Sequence, residues 1–157
     1  MAKVIMTCGR ICSGKTTYAQ KLSRELKAVV LSVDEITLAL FGQDAGDMHD
    51  TYVERAEKYL YEKSVEIVGL GVDVILDWGF WTKAEREQAR AFYAERGIPC
   101  EFHCIVISDE EWHGRLRQRN AAVQAGETSA YFVDDGLAAK FSRMFEKPSE
   151  DEVDVIV

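Results

Sequence analysis

Several things are scarce in this 157-residue chain, and each scarcity narrows its class. No apolar run approaches the ~20 residues that a bilayer-spanning helix needs, so no membrane partner is expected and the default location is cytoplasmic. Basic residues are the minority, 19 against 27 acidic, for a formal net charge of −8. A chain that grips nucleic acid through its phosphates shows the opposite balance, so the bulk charge argues for a small substrate. The three histidines, His49, His103 and His113, are too scattered to form a metal set or a triad. There are only two prolines, no Pro/Ser-rich stretch and no internal repeat. Residues 1–157 therefore read as one domain, long enough to bury a sizeable core. Cysteine is limited to Cys8, Cys12, Cys100 and Cys104, in two C-x₃-C pairs. A zinc cage on the first pair would sit in the loop described next, and the second pair falls on one face of a strand-like run. Buried or incidental thiols are the expectation.

That loop is Cys8-Gly9-Arg10-Ile11-Cys12-Ser13-Gly14-Lys15-Thr16-Thr17, which contains the full P-loop (Walker A) pattern Gly9-x-x-x-x-Gly14-Lys15-Thr16. Glycines permit positive φ and leave backbone N–H groups free to surround a phosphate. Lys15 then reaches the β- and γ-phosphates, and the Thr16 hydroxyl is placed for Mg²⁺. The context agrees: residues 3–7 form a short apolar run suited to a buried strand, and 16–26 carry a helical pattern. Residues 9–17 are thus the expected site for ATP, with Thr16 as metal ligand. Because the sequence enters this strand directly, no leader peptide is expected.

Beyond the loop, strand and helix patterns alternate. A second strand, 28–33, ends at Asp34 and is followed by a short helix over 35–41. A long helix is expected over 51–68, with Tyr52, Ala56, Leu60, Ser64 and Ile67 along one side. A third strand, 72–76, delivers Asp77-Trp78-Gly79-Phe80-Trp81. Thr82 and Glu85 predict a capping box for a helix to Arg96. A fourth strand spans 100–107, a second capping signature at Ser108 and Glu111 opens another helix, 121–129 turns small and polar, and a helix over 134–145 precedes a last strand at 153–157. The acidic run 150–154 reads as a solvated loop. Five strands alternating with helices predict an α/β domain of the P-loop NTPase type, a five-stranded parallel sheet with helices on both faces. Ligands in such sheets sit beyond the carboxyl ends of the strands, where the P-loop, Asp34 and Asp77 converge.

Phosphoryl transfer at such a site needs phosphate neutralisation, a metal, a positioned acceptor and stabilisation of developing charge. Asp34 is the candidate to take the acceptor's hydroxyl proton or to hold Mg²⁺ through water, with helix N-capping as its structural alternative. Asp77 could meet a metal-bound water, hold a substrate hydroxyl or hydrogen-bond the P-loop backbone. Trp78, Phe80 and Trp81 belong to the core or wall the acceptor pocket. Arg115 and Arg119, one helical turn apart, are candidate lid arginines in a lid expected at about 112–130.

With these pieces placed, the chain resembles the small P-loop kinases that include the 5′-kinase half of polynucleotide kinase, chloramphenicol phosphotransferase and zeta-toxin-like kinases. The likeness rests on residues 9–17, Ser32-Val33-Asp34-Glu35, Leu76 to Trp81, the segment Trp112 to Asn120, and Phe145-Glu146-Lys147-Pro148. It implies Lys15 and Thr16 for ATP and Mg²⁺, Asp34 as general base, Arg115 or Arg119 as the transition-state arginine, and Phe145 or Pro148 near the adenine. One departure stands out: polynucleotide 5′-kinases carry an arginine three residues after the base, where this chain has Thr37. Three functions are therefore in play: a kinase of a small-molecule hydroxyl, which the charge favours, a polynucleotide 5′-hydroxyl kinase, and a nucleotide-binding module without transfer.

Overall fold

A computed structural model describes residues 1–157. The first strand, β1 (Val4–Cys8), is buried at every position and lies in the middle of a five-stranded sheet. Its neighbours are β3 (Val74–Leu76) and β4 (Cys100–Cys104); β2 (Val29–Leu31) lies outside β3, and β5 (Val155–Ile156) lies outside β4. Every pairing is parallel. Parallel neighbours need crossover helices, and those helices bury both faces of the sheet.

Alternation along β1 divides the core. Val4, Met6 and Cys8 face a cluster with Leu76, Phe102 and Tyr93, closed by helices α3 (His49–Gly69) and α4 (Lys83–Ala94). Ile5 faces the opposite layer, meeting Ala19 of α1 (Lys15–Leu26), Ala28 and Ile75. The α3 side chains Leu60, Ser64 and Ile67 point inward as their spacing predicts, and Ser64 Oγ shares a 2.7 Å hydrogen bond with Tyr93 Oη. The Thr82–Glu85 capping box is formed in both directions. At the next helix, α5 (Asp109–Gln124), Ser108 Oγ accepts from Glu111 N, but the Glu111 carboxylate turns to Arg115 instead of completing the box. A smaller cluster joins α5 to α6 (Asp135–Met144) through Trp112, Leu116, Val133 and Ala138.

Three expectations need correction. The helix after β2, α2 (Val33–Phe41), starts two residues early because Ser32 caps it, accepting from Glu35 N at 3.3 Å, so Asp34 sits in the first turn and is not the cap. The acidic run 150–154 is not a free loop. Glu152 pairs with the buried Arg86 at 2.9 Å, and Asp154 accepts from both Arg90 Nη2 and Phe102 N at 2.7 Å. Finally, α5 runs on to Gln124, so most of the expected lid is helix and the irregular part is 125–134. No helix is long and apolar enough to cross a membrane.

Candidate active site

The carboxyl end of β1 runs into the P-loop, and two close approaches explain its glycines. A Cβ on Gly9 would meet Ser13 Oγ at 2.8 Å and Ile105 O at 3.0 Å. Gly14 has φ +99°, and a Cβ there would meet Arg115 Nη1 at 2.6 Å. Gly14 is also the N-cap of α1, with no side-chain cap and no acidic residue in the first turn. The orphan N–H groups of that turn are left for an anion.

Lys15 folds back over its own loop, Nζ donating to Gly9 O at 3.1 Å and Arg10 O at 2.7 Å. Burial pushes its pKa down, while the carboxylate of Asp77 acts against that push. Thr16 Oγ1 donates to Asp77 Oδ2 at 2.8 Å, and Thr7 Oγ1 lies 3.5 Å from the other carboxylate oxygen. Asp77 is buried at the end of β3 beside β1, and burial raises its pKa against the lowering pull of Thr16 and Lys15. In place of the loop-backbone contact open to Asp77 from sequence, the structure shows a hydrogen bond from the Thr16 side chain, which was not among the contacts expected. This small, oxygen-only donor set fits Mg²⁺, which keeps several waters and takes other ligands from phosphates.

The loop is backed by α5. Trp112 Nε1 donates to Ile11 O at 2.6 Å, Arg115 Nη1 to Ser13 O at 2.7 Å, and Arg119 Nη1 to Cys12 Sγ at 3.1 Å. Residues 112, 115 and 119 share one helix face, so their spacing alone carries all three to the loop. Arg10 turns outward, paired with Asp109 and stacked 3.9 Å from the Trp112 ring centroid, so only its backbone belongs to the phosphate site. Cys12 adopts φ +58°, a left-handed conformation that a side chain rarely takes. Thr17 is exposed in the first turn of α1, and Ser13 is buried with its hydroxyl unpartnered.

Facing this loop, Asp34 opens into the same cleft, and its carboxylate has no hydrogen-bond partner in the fold. Surrounding protein raises its pKa; Arg119, Lys15 and His49 pull the other way, and the water it still reaches tempers the shift. Trp78 lines the cleft and meets Tyr61 edge-on at 5.5 Å. Phe80, expected on the acceptor wall, is 3% exposed and belongs to the core, T-shaped against Phe102 at 5.2 Å. Its φ of +45° swings the chain so that the ring enters the core and Trp81 folds back over Gly79. Phe145 packs on the main core and Pro148 is buried, so neither lines the cleft.

The cleft encloses about 2730 Å³, well above the few hundred to 1,000 Å³ of a single small-ligand pocket. Two ligands fit. Its lining is unevenly charged: Lys15, Arg115 and Arg119 stand at the loop, whereas α3 and the start of α4 present Asp50, Glu54, Glu57, Glu62 and Glu85 against one cation, Lys58. Burial and the neighbouring Glu85 and Glu54 lift Glu57 to about 7. Sequence reasoning missed this wall, although Glu54 and Glu57 at i and i+3 on one helix announce it.

Comparisons with solved structures agree on the fold. Kti12 of Chaetomium thermophilum, solved with ADP-AlF3, superposes with TM-score 0.74 at 17% identity over 98% of this chain and 88% of that one. The Pnkp1/Rnl/Hen1 RNA repair complex gives 0.73 at 22% over 91% of this chain and 43% of the other. The APS kinase CysC of Mycobacterium tuberculosis, solved with AMPPNP and APS, gives 0.69 at 20% over 99% and 87%. No curated protein matches. The fold is that of the small P-loop kinases, and a family model for an AAA domain matches residues 4–147, nearly the whole chain. The chain belongs to the AAA_33 family.

Proposed function

We propose that this protein is a kinase that moves the γ-phosphoryl group of ATP onto a hydroxyl of a small molecule, neutral or cationic. The observation that carries this reading is the pairing of two unlike walls in one cleft. A P-loop with a Thr16–Asp77 hydrogen bond of 2.8 Å faces an unpaired carboxylate, Asp34, and an acidic surface. ATP lies with its phosphates on residues 9–17. Thr16, with Asp77 behind it, holds Mg²⁺, which neutralises phosphate charge when bound. The Asp34 carboxylate accepts the acceptor's proton, the freed oxygen bonds to the γ-phosphorus, and the bond to the β-phosphate oxygen breaks to release ADP. Arg115 and Arg119 lie where charge develops during transfer. Lid residues over the cleft keep water from taking the phosphate.

The acidic wall also supports this reading over the polynucleotide alternative. A polynucleotide would bring its phosphates beside Asp50, Glu54 and Glu57, and the arginine expected to greet the acceptor phosphate is Thr37, buried inside α2. The test is ADP release from Mg-ATP in the presence of 5′-hydroxyl oligonucleotides and of a panel of sugars, nucleosides and amine-bearing alcohols. One small-molecule class should stimulate release, and Asp34→Asn should abolish the stimulation while leaving ATP affinity within about threefold. Because burial raises the Asp34 pKa, stimulated turnover should fall as pH drops through that raised value, earlier than for a free carboxylate. Stimulation by oligonucleotides alone would overturn the assignment, as would wild-type turnover by Asp34→Asn.

A further inference from the structure

Residues 130–133 cross the cleft as a strap, and the way they are held is specific. Asn120 of α5 grips Val133 from the nucleotide side: its Nδ2 donates to Val133 O at 2.6 Å and its Oδ1 accepts from Val133 N at 2.9 Å. Gln43, just after α2, grips the strap from the other side: Nε2 donates to Ala130 O at 2.6 Å and Oε1 accepts from Phe132 N at 3.2 Å. Each amide side chain thus mimics a strand partner, using one donor and one acceptor. Tyr131 stands inside the Gln43 grip, between Ala130 and Phe132, its ring edge-on to His49 at 5.6 Å.

The Tyr131 hydroxyl donates to Thr37 Oγ1 at 2.7 Å. Thr37 Oγ1 in turn shares its one proton between the backbone carbonyls of Val33 at 3.1 Å and Asp34 at 3.3 Å. The chain of contacts therefore ends on the helical turn that carries the candidate base. Asn120 directly follows Arg119, so the Val133 end of the strap is anchored beside an arginine that contacts the P-loop, while Gln43 holds the other end past the C-terminus of α2 and Tyr131 alone reaches the turn that carries Asp34.

We propose that Tyr131 is a positioning residue: seated by the strap, it acts through Thr37 to fix the first turn of α2 and hence the Asp34 carboxylate. Resting on the kinase reading, this couples closure of the lid over nucleotide to assembly of the acceptor site. An open strap leaves Thr37 without its phenol donor and the Asp34 turn less constrained, so the base is assembled only under a closed lid.

The test uses the full chain as wild type, Tyr131→Phe, Thr37→Val and Thr37→Ser, all saturated with Mg-AMPPNP, and measures amide hydrogen exchange. Tyr131→Phe and Thr37→Val should each speed exchange about fivefold or more both in the strap (130–133) and in the α2 turn (34–38), while Thr37→Ser stays near wild type. The double variant Tyr131→Phe/Thr37→Val should be no faster than either single one, since both break the same link. Faster exchange confined to the strap, or effects that multiply, would overturn the proposal. Exchange is read whether or not phosphate is transferred. If no acceptor stimulated ADP release in the wild type, the kinase reading would fall while the exchange result stood.

Discussion

Glu57 shows how a single side chain reports its surroundings. The folded protein holds its proton up to about pH 7, whereas the unfolded chain releases it near 4.5. Its contribution to stability is therefore complete below about pH 4.5 and is lost as pH rises through 7. Glu57→Gln should match wild type at pH 4 and exceed it at pH 8 by about 1–2 kcal/mol, a value discounted for the water that reaches this carboxyl. Thermal unfolding at the two pH values checks this, with a shift of about 2–8 °C at pH 8 only. At this scale the sequence was most legible where a residue's job is local. Gly9, Gly14, Lys15 and Thr16 act through backbone geometry and reach within their own loop, so the motif places them. Phe80 was not legible, because its positive φ, which no neighbouring residue type demands, sends the ring inward. Asp77 was half legible: its strand end was clear, but its partner Thr16 lies 61 positions away.

Among the elements, α4 is the best test of local coding. Its capping box closes the turn directly after the Asp77–Trp81 segment, with Glu85 N to Thr82 Oγ1 at 3.2 Å and Thr82 N to Glu85 Oε2 at 3.0 Å. Thr82→Ala should cost about 1 kcal/mol, read as a lower denaturation midpoint with unchanged m-value. Helix positions followed from periodicity and caps, whereas the N-terminus of α2 shifted because Ser32 outcompeted Asp34 as cap. The strap was invisible for a different reason. Its shape depends on Asn120 and on Gln43, 87 positions from Ala130, and two side-chain amides leave no periodic trace.

The whole molecule is tied across its sheet by Arg86, which is 2% exposed. Its Nε donates to Glu152 and its Nη1 to Phe80 O, both at 2.9 Å, linking α4, the turn after β3 and the segment before β5. Arg86→Ala leaves the partly solvated Glu152 without its cation and Phe80 O without its donor and should cost about 2–3 kcal/mol, measured by urea unfolding, with Arg86→Met milder because volume is kept. The parallel sheet and the crevice at its carboxyl edge followed from the alternation of elements, whereas the strand order β2-β3-β1-β4-β5 was not read from it. The union of the acidic tail with the core did not follow either, because a charge run reads as solvated until its partners are known. The resting position of Lys15 carries a last consequence. With its ammonium already satisfied by two carbonyls of its own loop, nucleotide arrival is a swap of partners and not a simple addition. Those carbonyls would compete with a phosphate for the ammonium, so the affinity for a nucleotide would be a difference between two bonded states.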